Sequence, residues 1–184
     1  MATKSSALSR FAAKRISHAG LAALAFAGAL AVMPAAADAA AAHGKYTTID
    51  VPGATATNAI SVNDFGVVVG SYTDTPGVSH GFIDRHGVFT TVNDPHAGTA
   101  AGQGTTVIAI NEVGVLGGVY IDANGTQHGF IDRHGAFTTL NDPLAGTAPG
   151  QGTVAFALNN RGIIVGIYTD SHGTTHGFEL NNTP

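Results

Sequence analysis

Between Asn58 and Leu180 short apolar runs alternate with clusters of Asn, Asp and Gly. In the middle of the chain the runs are Thr106–Asn111 (TVIAIN), Val115–Ile121 (VLGGVYI), Thr126–Ile131 (TQHGFI) and Ala136–Leu140 (AFTTL). They are rich in Val, Ile, Phe, Tyr and Thr, whose branched or flat side chains suit a pleated surface. Between them stand NEVG, DANG and DRHG. In each, the first side chain can accept from the turn backbone and the glycine can take positive φ. Such tetrapeptides predict hairpins built on a type I turn followed by a glycine bulge. Beyond the N-terminal region no segment combines helical periodicity with caps. The runs therefore predict a four-stranded antiparallel meander, with strands A, B, C and D in chain order.

The faces of strand B say how the meander packs. Leu116, Gly118 and Tyr120 share one face, and Val115, Gly117, Val119 and Ile121 share the other. A lone sheet in water keeps one polar face. A sheet with no polar face must be covered on both sides, so meanders are expected to stack as in propellers and related arrays.

The pattern recurs. His80, His128 and His176 each open His-Gly-Phe, a step of 48 residues both times (128 − 80 and 176 − 128). Tyr72, Tyr120 and Tyr168 keep the step, as do Gly70, Gly118 and Gly166, and Asn63, Asn111 and Asn159. The expected units are 56–94, 106–142 and 154–180. Tyr46–Asp50 (YTTID) reads as a D strand without its A, B and C, and is expected to complete the last unit. The fold class is all-β: three tandem four-stranded antiparallel meanders of 48-residue period, arranged like a β-propeller. Closed propellers have about 4–8 blades. A threefold β-prism or β-trefoil-like body, an open arc, or a homodimer closing a six-bladed ring are thus alternatives.

The N-terminal region reads differently. Lys4, Arg10, Lys14 and Arg15 precede an apolar run, Gly20–Met33, then Pro34 and an Ala-rich tract. A basic start, a short apolar middle and an Ala-x-Ala region are the order of a secretory signal peptide. The run is shorter than the ~20 residues a membrane span needs. Residues 1–39 are expected to be the signal and 40–184 a single repeat-built β domain, secreted or periplasmic, in a bacterium. The chain has no cysteine, so packing alone must hold that domain.

From residue 40 onward four cations (Lys45, Arg85, Arg133, Arg161) face eleven acids, a net charge of −7. Phosphate binding needs a basic patch, so neither nucleic acid nor an anionic membrane surface is an expected partner.

With the tripeptides and the stretches AISVNDFGVVVGSYTD, AINEVGVLGGVYID and ALNNRGIIVGIYTD in view, the chain resembles the bacterial extracellular HAF repeat family, called after a His-Ala-Phe tripeptide. The resemblance covers Tyr46 to about Leu180, with Gly in place of Ala in all three tripeptides. It implies an exported bacterial protein of repeated β units and brings no catalytic residues.

Candidate chemistry is sparse. His80, His128 and His176, with Phe82, Phe130 and Phe178, are expected to be structural. On a third strand they diverge between units, so a shared metal site is disfavoured and each imidazole should bond to backbone. The strand B glycines should leave room for a neighbouring Phe ring. His96 and His172 break the repeat and read as loop variation. No fixed Ser–His–Asp set and no Gly-rich phosphate loop opening a helix is present, so no catalytic residue, cofactor or metal is assigned.

In a meander the B–C turns and D–A linkers share one end. That end collects Asp50, Asp74, Asp94, Asp122, Asp142 and Asp170 without Lys or Arg, while the four cations at the other end meet four acids. This acidic loop face is the expected ligand-binding surface, for a cationic or polyhydroxylated ligand. Ca²⁺ is an alternative there because it favours carboxylate oxygens. The expected function is a non-catalytic binding module at the envelope or outside the cell. A passive envelope or matrix component and a hydrolase of extracellular polymers are the alternatives.

Overall fold

Eleven strands follow one another in the computed structural model, which describes residues 44–182: β1 Ala56–Val62, β2 Val67–Thr73, β3 Ser79–Arg85, β4 Val88–Val92, β5 Gly104–Ile110, β6 Leu116–Ile121, β7 Gln127–Arg133, β8 Ala136–Leu140, β9 Gly152–Leu158, β10 Ile163–Thr169 and β11 Thr175–Asn181. The signal-peptide expectation for residues 1–39 lies outside the described residues. The fold is all-β, a single open mixed sheet of eleven strands.

Within the sheet, β1–β4, β5–β8 and β9–β11 are antiparallel meanders. Consecutive meanders are joined by one parallel pairing each, Ser79 with Gly104 and Gln127 with Gly152. The core lies between meanders. Val69 and Val92 of the first pack with Val107, Ile110, Leu116, Tyr120 and Phe130 of the second. Ile131 and Leu140 of the second pack with Ala155 and Ile164 of the third. Cover from both sides is what the two apolar faces of strand B required.

The A–B turns obey the expected chemistry. Asn63 Oδ1 accepts from the amides of Phe65 and Val67, both at 3.1 Å, and Gly66 closes the turn with φ of 73°. The C–D turns differ from expectation. Arg85 pairs with Val88 and Arg133 with Ala136, so two residues remain in each loop. His86 and His134 take φ of 56°, followed by Gly87 at 90° and Gly135 at 93°. Two positive φ values in succession make a type I′ turn, whose twist matches the flanking strands.

Each first strand carries a bulge, at Ile60, Ile108 and Phe156. The strand B glycine lies beside it. A Cβ on Gly118 would run into the Thr106 carbonyl and come within 3.0 Å of the Phe130 ring. The glycine makes the room expected for the ring, and for the bulged strand as well.

Two expectations are corrected. Residues 46–50 form no strand, and β11 has no fourth strand beside it among the described residues. The chain does not close on itself either, since β1 and β11 are the two ends of an open path. That excludes a threefold prism or trefoil formed by one chain. The physical reason is the order of stacking: the second meander stands between the first and the third.

Candidate interaction surface

The tripeptide histidines are clamps. His80 Nε2 lies 3.1 Å from Asp74 Oδ2 and Nδ1 lies 3.0 Å from Asn93 Oδ1. His128 repeats this with Asp122 at 3.4 Å and Asn141 at 2.9 Å. His176 keeps only the carboxylate, Asp170, at 3.5 Å. Each ring also stacks on the strand B tyrosine, with centroids 4.8–5.0 Å apart for Tyr72, Tyr120 and Tyr168. The expected backbone bond is therefore corrected: each imidazole joins side chains. In His80 and His128 both ring nitrogens are engaged by side-chain oxygens.

Asp74, Asp122 and Asp170 serve their own turns as well. One oxygen of each accepts from the amide four residues on, at Val78 (2.7 Å), Thr126 (2.8 Å) and Thr174 (2.8 Å). All three carboxyls sit below the usual aspartate range. For Asp74 the main cause is the His80 hydrogen bond. For Asp122 partial burial pushes upward, but the Thr126 and Asn124 amides and His128 outweigh it. For Asp170 the Thr174 amide leads, against some burial. A depressed carboxyl binds fewer protons folded than unfolded, so stability rises with pH across the interval. The contribution is complete above the ordinary value of about 4 and is lost as pH falls through the folded values. Melting followed by circular dichroism should show a midpoint that is flat near neutrality and drops in acid. The variant carrying Asp74→Asn, Asp122→Asn and Asp170→Asn should drop less steeply; an unchanged acid slope would refute the assignment.

One end of the meanders carries the linkers and the B–C turns. Linkers and B–C turns meet there through backbone bonds, Gly102 N to Gly77 O and Gly98 N to Ile121 O, then Gly150 N to Gly125 O and Gly146 N to Thr169 O. Gln103 braces the first linker, accepting from the Ala100 amide at 3.0 Å and donating to the Ala123 carbonyl at 3.1 Å. The linkers are brackets between units, and the surface they form is built in advance. Asp50 is exposed and Asp142 half-buried, whereas Asp94 is buried. Asp94 Oδ1 accepts from the His96 amide at 2.9 Å, and its buried Oδ2 has no protein partner. Nearby Tyr120 holds its phenol proton more tightly than usual, first through burial and then through the charges of Asp94 and Asp122. Among the described residues no three His, Cys, Asp or Glu side chains converge as a metal-ligand set.

The opposite end holds contacts that spacing alone did not expose. Asn63 Nδ2 donates to the Asn111 carbonyl at 3.2 Å, and Asn111 Nδ2 to the Asn159 carbonyl at 3.3 Å. These turn formers also tie unit to unit, and their constant 48-residue step was the available signal. Asn93 and Asn141, which complete the His clamps, also repeat at 48, and their place at the linker starts gives no sign of a histidine partner. Two grooves open between units. One of about 290 Å³ is bordered by β3, β4, β7 and β8, and one of about 240 Å³ runs from the end of β8 to β11.

Comparison of the chain with protein-family models, curated proteins and solved structures finds no match.

Proposed function

We propose that this chain is an exported, non-catalytic interaction module: a propeller-like stack of HAF-type β meanders that meets a cationic or polyhydroxylated ligand through its acidic rim. One observation carries the reading. Asp50, Asp74, Asp122, Asp142 and Asp170 lie in or beside the linkers and B–C turns that bond to one another, with Asp94 buried beneath them, while Arg85, Arg133 and Arg161 lie at the A–B and C–D turns. Charge of one sign on a preformed surface raises the local concentration of oppositely charged ligands. The basic, apolar and Ala-rich N-terminal order supports export, and the His-Gly-Phe tripeptides support the kinship with exported repeat proteins.

Among the described residues the rim offers no chelating set, so diffuse polycations should bind it better than a divalent ion. With spermine at ten times its dissociation constant, the melting midpoint should rise by about 3 °C at low salt. The rise should vanish at high salt, where exposed charges are screened. Millimolar Ca²⁺ should shift it less. No response to spermine or to amino-sugar oligomers would defeat this reading and favour a passive matrix role.

A further inference from the structure

We propose that Tyr46–Asp50 of one copy is the missing fourth strand of the third meander in a second copy, and reciprocally, so that two chains close one ring of six meanders. The first support is the way this segment is held. Where β4 passes to β5, the Asp94 amide donates to Thr105 Oγ1 at 2.9 Å; where β8 passes to β9, the Asp142 amide donates to Thr153 Oγ1 at 2.9 Å. In front of β1, the Val51 amide donates to Thr57 Oγ1 at 3.0 Å. Ala54 N bonds Val51 O as Ala97 N bonds Asp94 O, and Thr55 N bonds Thr73 O as Gly98 N bonds Ile121 O. Residues 51–55 therefore hold the geometry of a linker leaving a D strand. They present 46–50 where that strand would lie, with no A, B and C strands among the described residues to receive it.

The second support is what β11 lacks. In the first two meanders the D strand supplies three partners to the C and B strands. Phe89 and Phe137 pack on Phe82 and Phe130, at centroid distances of 5.7 and 5.6 Å. Thr91 and Thr139 bond the hydroxyls of Tyr72 and Tyr120. Asn93 and Asn141 bond the histidines. Phe178, Tyr168 and His176 have no such partners among the described residues. Tyr46, Thr48 and Asp50 carry the matching chemistry at the matching spacing: ring, hydroxyl, then a side-chain oxygen. In the register of β3 with β4, Ile49 falls opposite Gly177, Thr48 opposite Phe178 and Tyr46 opposite Leu180. Lys45 then lies diagonal to Glu179 on one face, an attractive pair.

The third support comes from the two outer faces of the stack. Val62 is 60% exposed although its repeat partner Ile110 is 8% exposed, and Val165 is 41% exposed where Val69 is fully covered. Positions that are core inside the stack face solvent at both ends, as in a repeat array without polar caps. One face of each kind meets in each of two equivalent contacts between two copies. The same segment cannot reach its own β11, because Thr57 holds Val51 beside β1 at the far end of the sheet. Two copies give six meanders, inside the range of about 4–8 found in closed propellers.

Light scattering of the full chain, exported and processed by the cell, should give the mass of two chains. Thr48→Pro removes an amide from a segment that pairs with nothing in a single copy, so this variant should keep its β dichroism while its dimer dissociation constant rises at least tenfold. Directly opposed residues in antiparallel strands lie about 4.5–5.5 Å apart at Cα, within disulfide reach. The chain has no cysteine of its own, so Thr47→Cys with Glu179→Cys should form an oxidised dimer that survives denaturant, and neither single variant should. A mass of one chain or of more than two, a dimer indifferent to Thr48→Pro, or an uncrosslinked double variant would each overturn the proposal.

Discussion

Phe130→Ala should lower the unfolding free energy by about 3–5 kcal/mol, the usual cost of emptying a fully covered aromatic site. A domain of this size holds only about 5–15 kcal/mol in all, so the variant should sit near the edge of folding at ambient temperature. The ring is wholly buried between the first and second meanders, in contact with Phe137 and beside Gly118. Phe178 occupies the same repeat position but is only partly covered. Phe178→Ala should therefore cost measurably less, since the transfer term scales with the apolar area removed from water. Urea denaturation of both variants in the Thr48→Pro background, where only one copy's contacts count, makes the comparison. Equal losses would show that the third meander is as well covered as the second, contrary to the burial described above.

The second large effect is expected at Gly104. This residue begins β5 at φ of 116° and makes the single parallel pairing to Ser79 that joins the first two meanders. A Cβ there would overlap the Ser79 carbonyl oxygen. Gly104→Ala thus combines a backbone conformation that alanine avoids with a clash against backbone, which no rotamer change relieves. The expected loss is about 2–4 kcal/mol. Gly102→Ala is the matched control. Gly102 also has positive φ, 80°, but a Cβ there meets nothing within 4 Å, so only the left-handed backbone penalty of about 1–2 kcal/mol remains. If the two variants melt together, the crowding between meanders is not what holds Gly104.

Local chemistry was legible in the residues themselves. Asn or Asp followed three positions later by Gly marks the reversals because those side chains and that φ range suit a turn and little else. The 48-residue step of His80, His128 and His176 marks equivalent places in equivalent units. The turn type at His86–Gly87 was not legible, because strand length decides how many residues are left for the loop. Neither were the partners of His80. Asp74 and Asn93 lie six and thirteen residues away along the chain, and only strand pairing brings both to one ring.

The acidic rim shows the same division. Counting charges in turns assigned six aspartates to one end. The count could not show that Asp74, Asp122 and Asp170 are already engaged by amides and imidazoles, or that Asp94 lies beneath the surface. Position along a strand is set by periodicity, whereas burial depends on what another unit lays over it.

Alternation of apolar and turn-forming residues, repeated at a fixed step, determined the strands, the meanders and their need for cover on both faces, because these follow from interactions within a few residues of each other. Only the tertiary structure decided that the meanders join through single parallel pairings, that the stack stays open, and that Tyr46–Asp50 stands apart from β11. Those outcomes depend on the orientation of whole units, a long-range property to which no single residue pattern is tied.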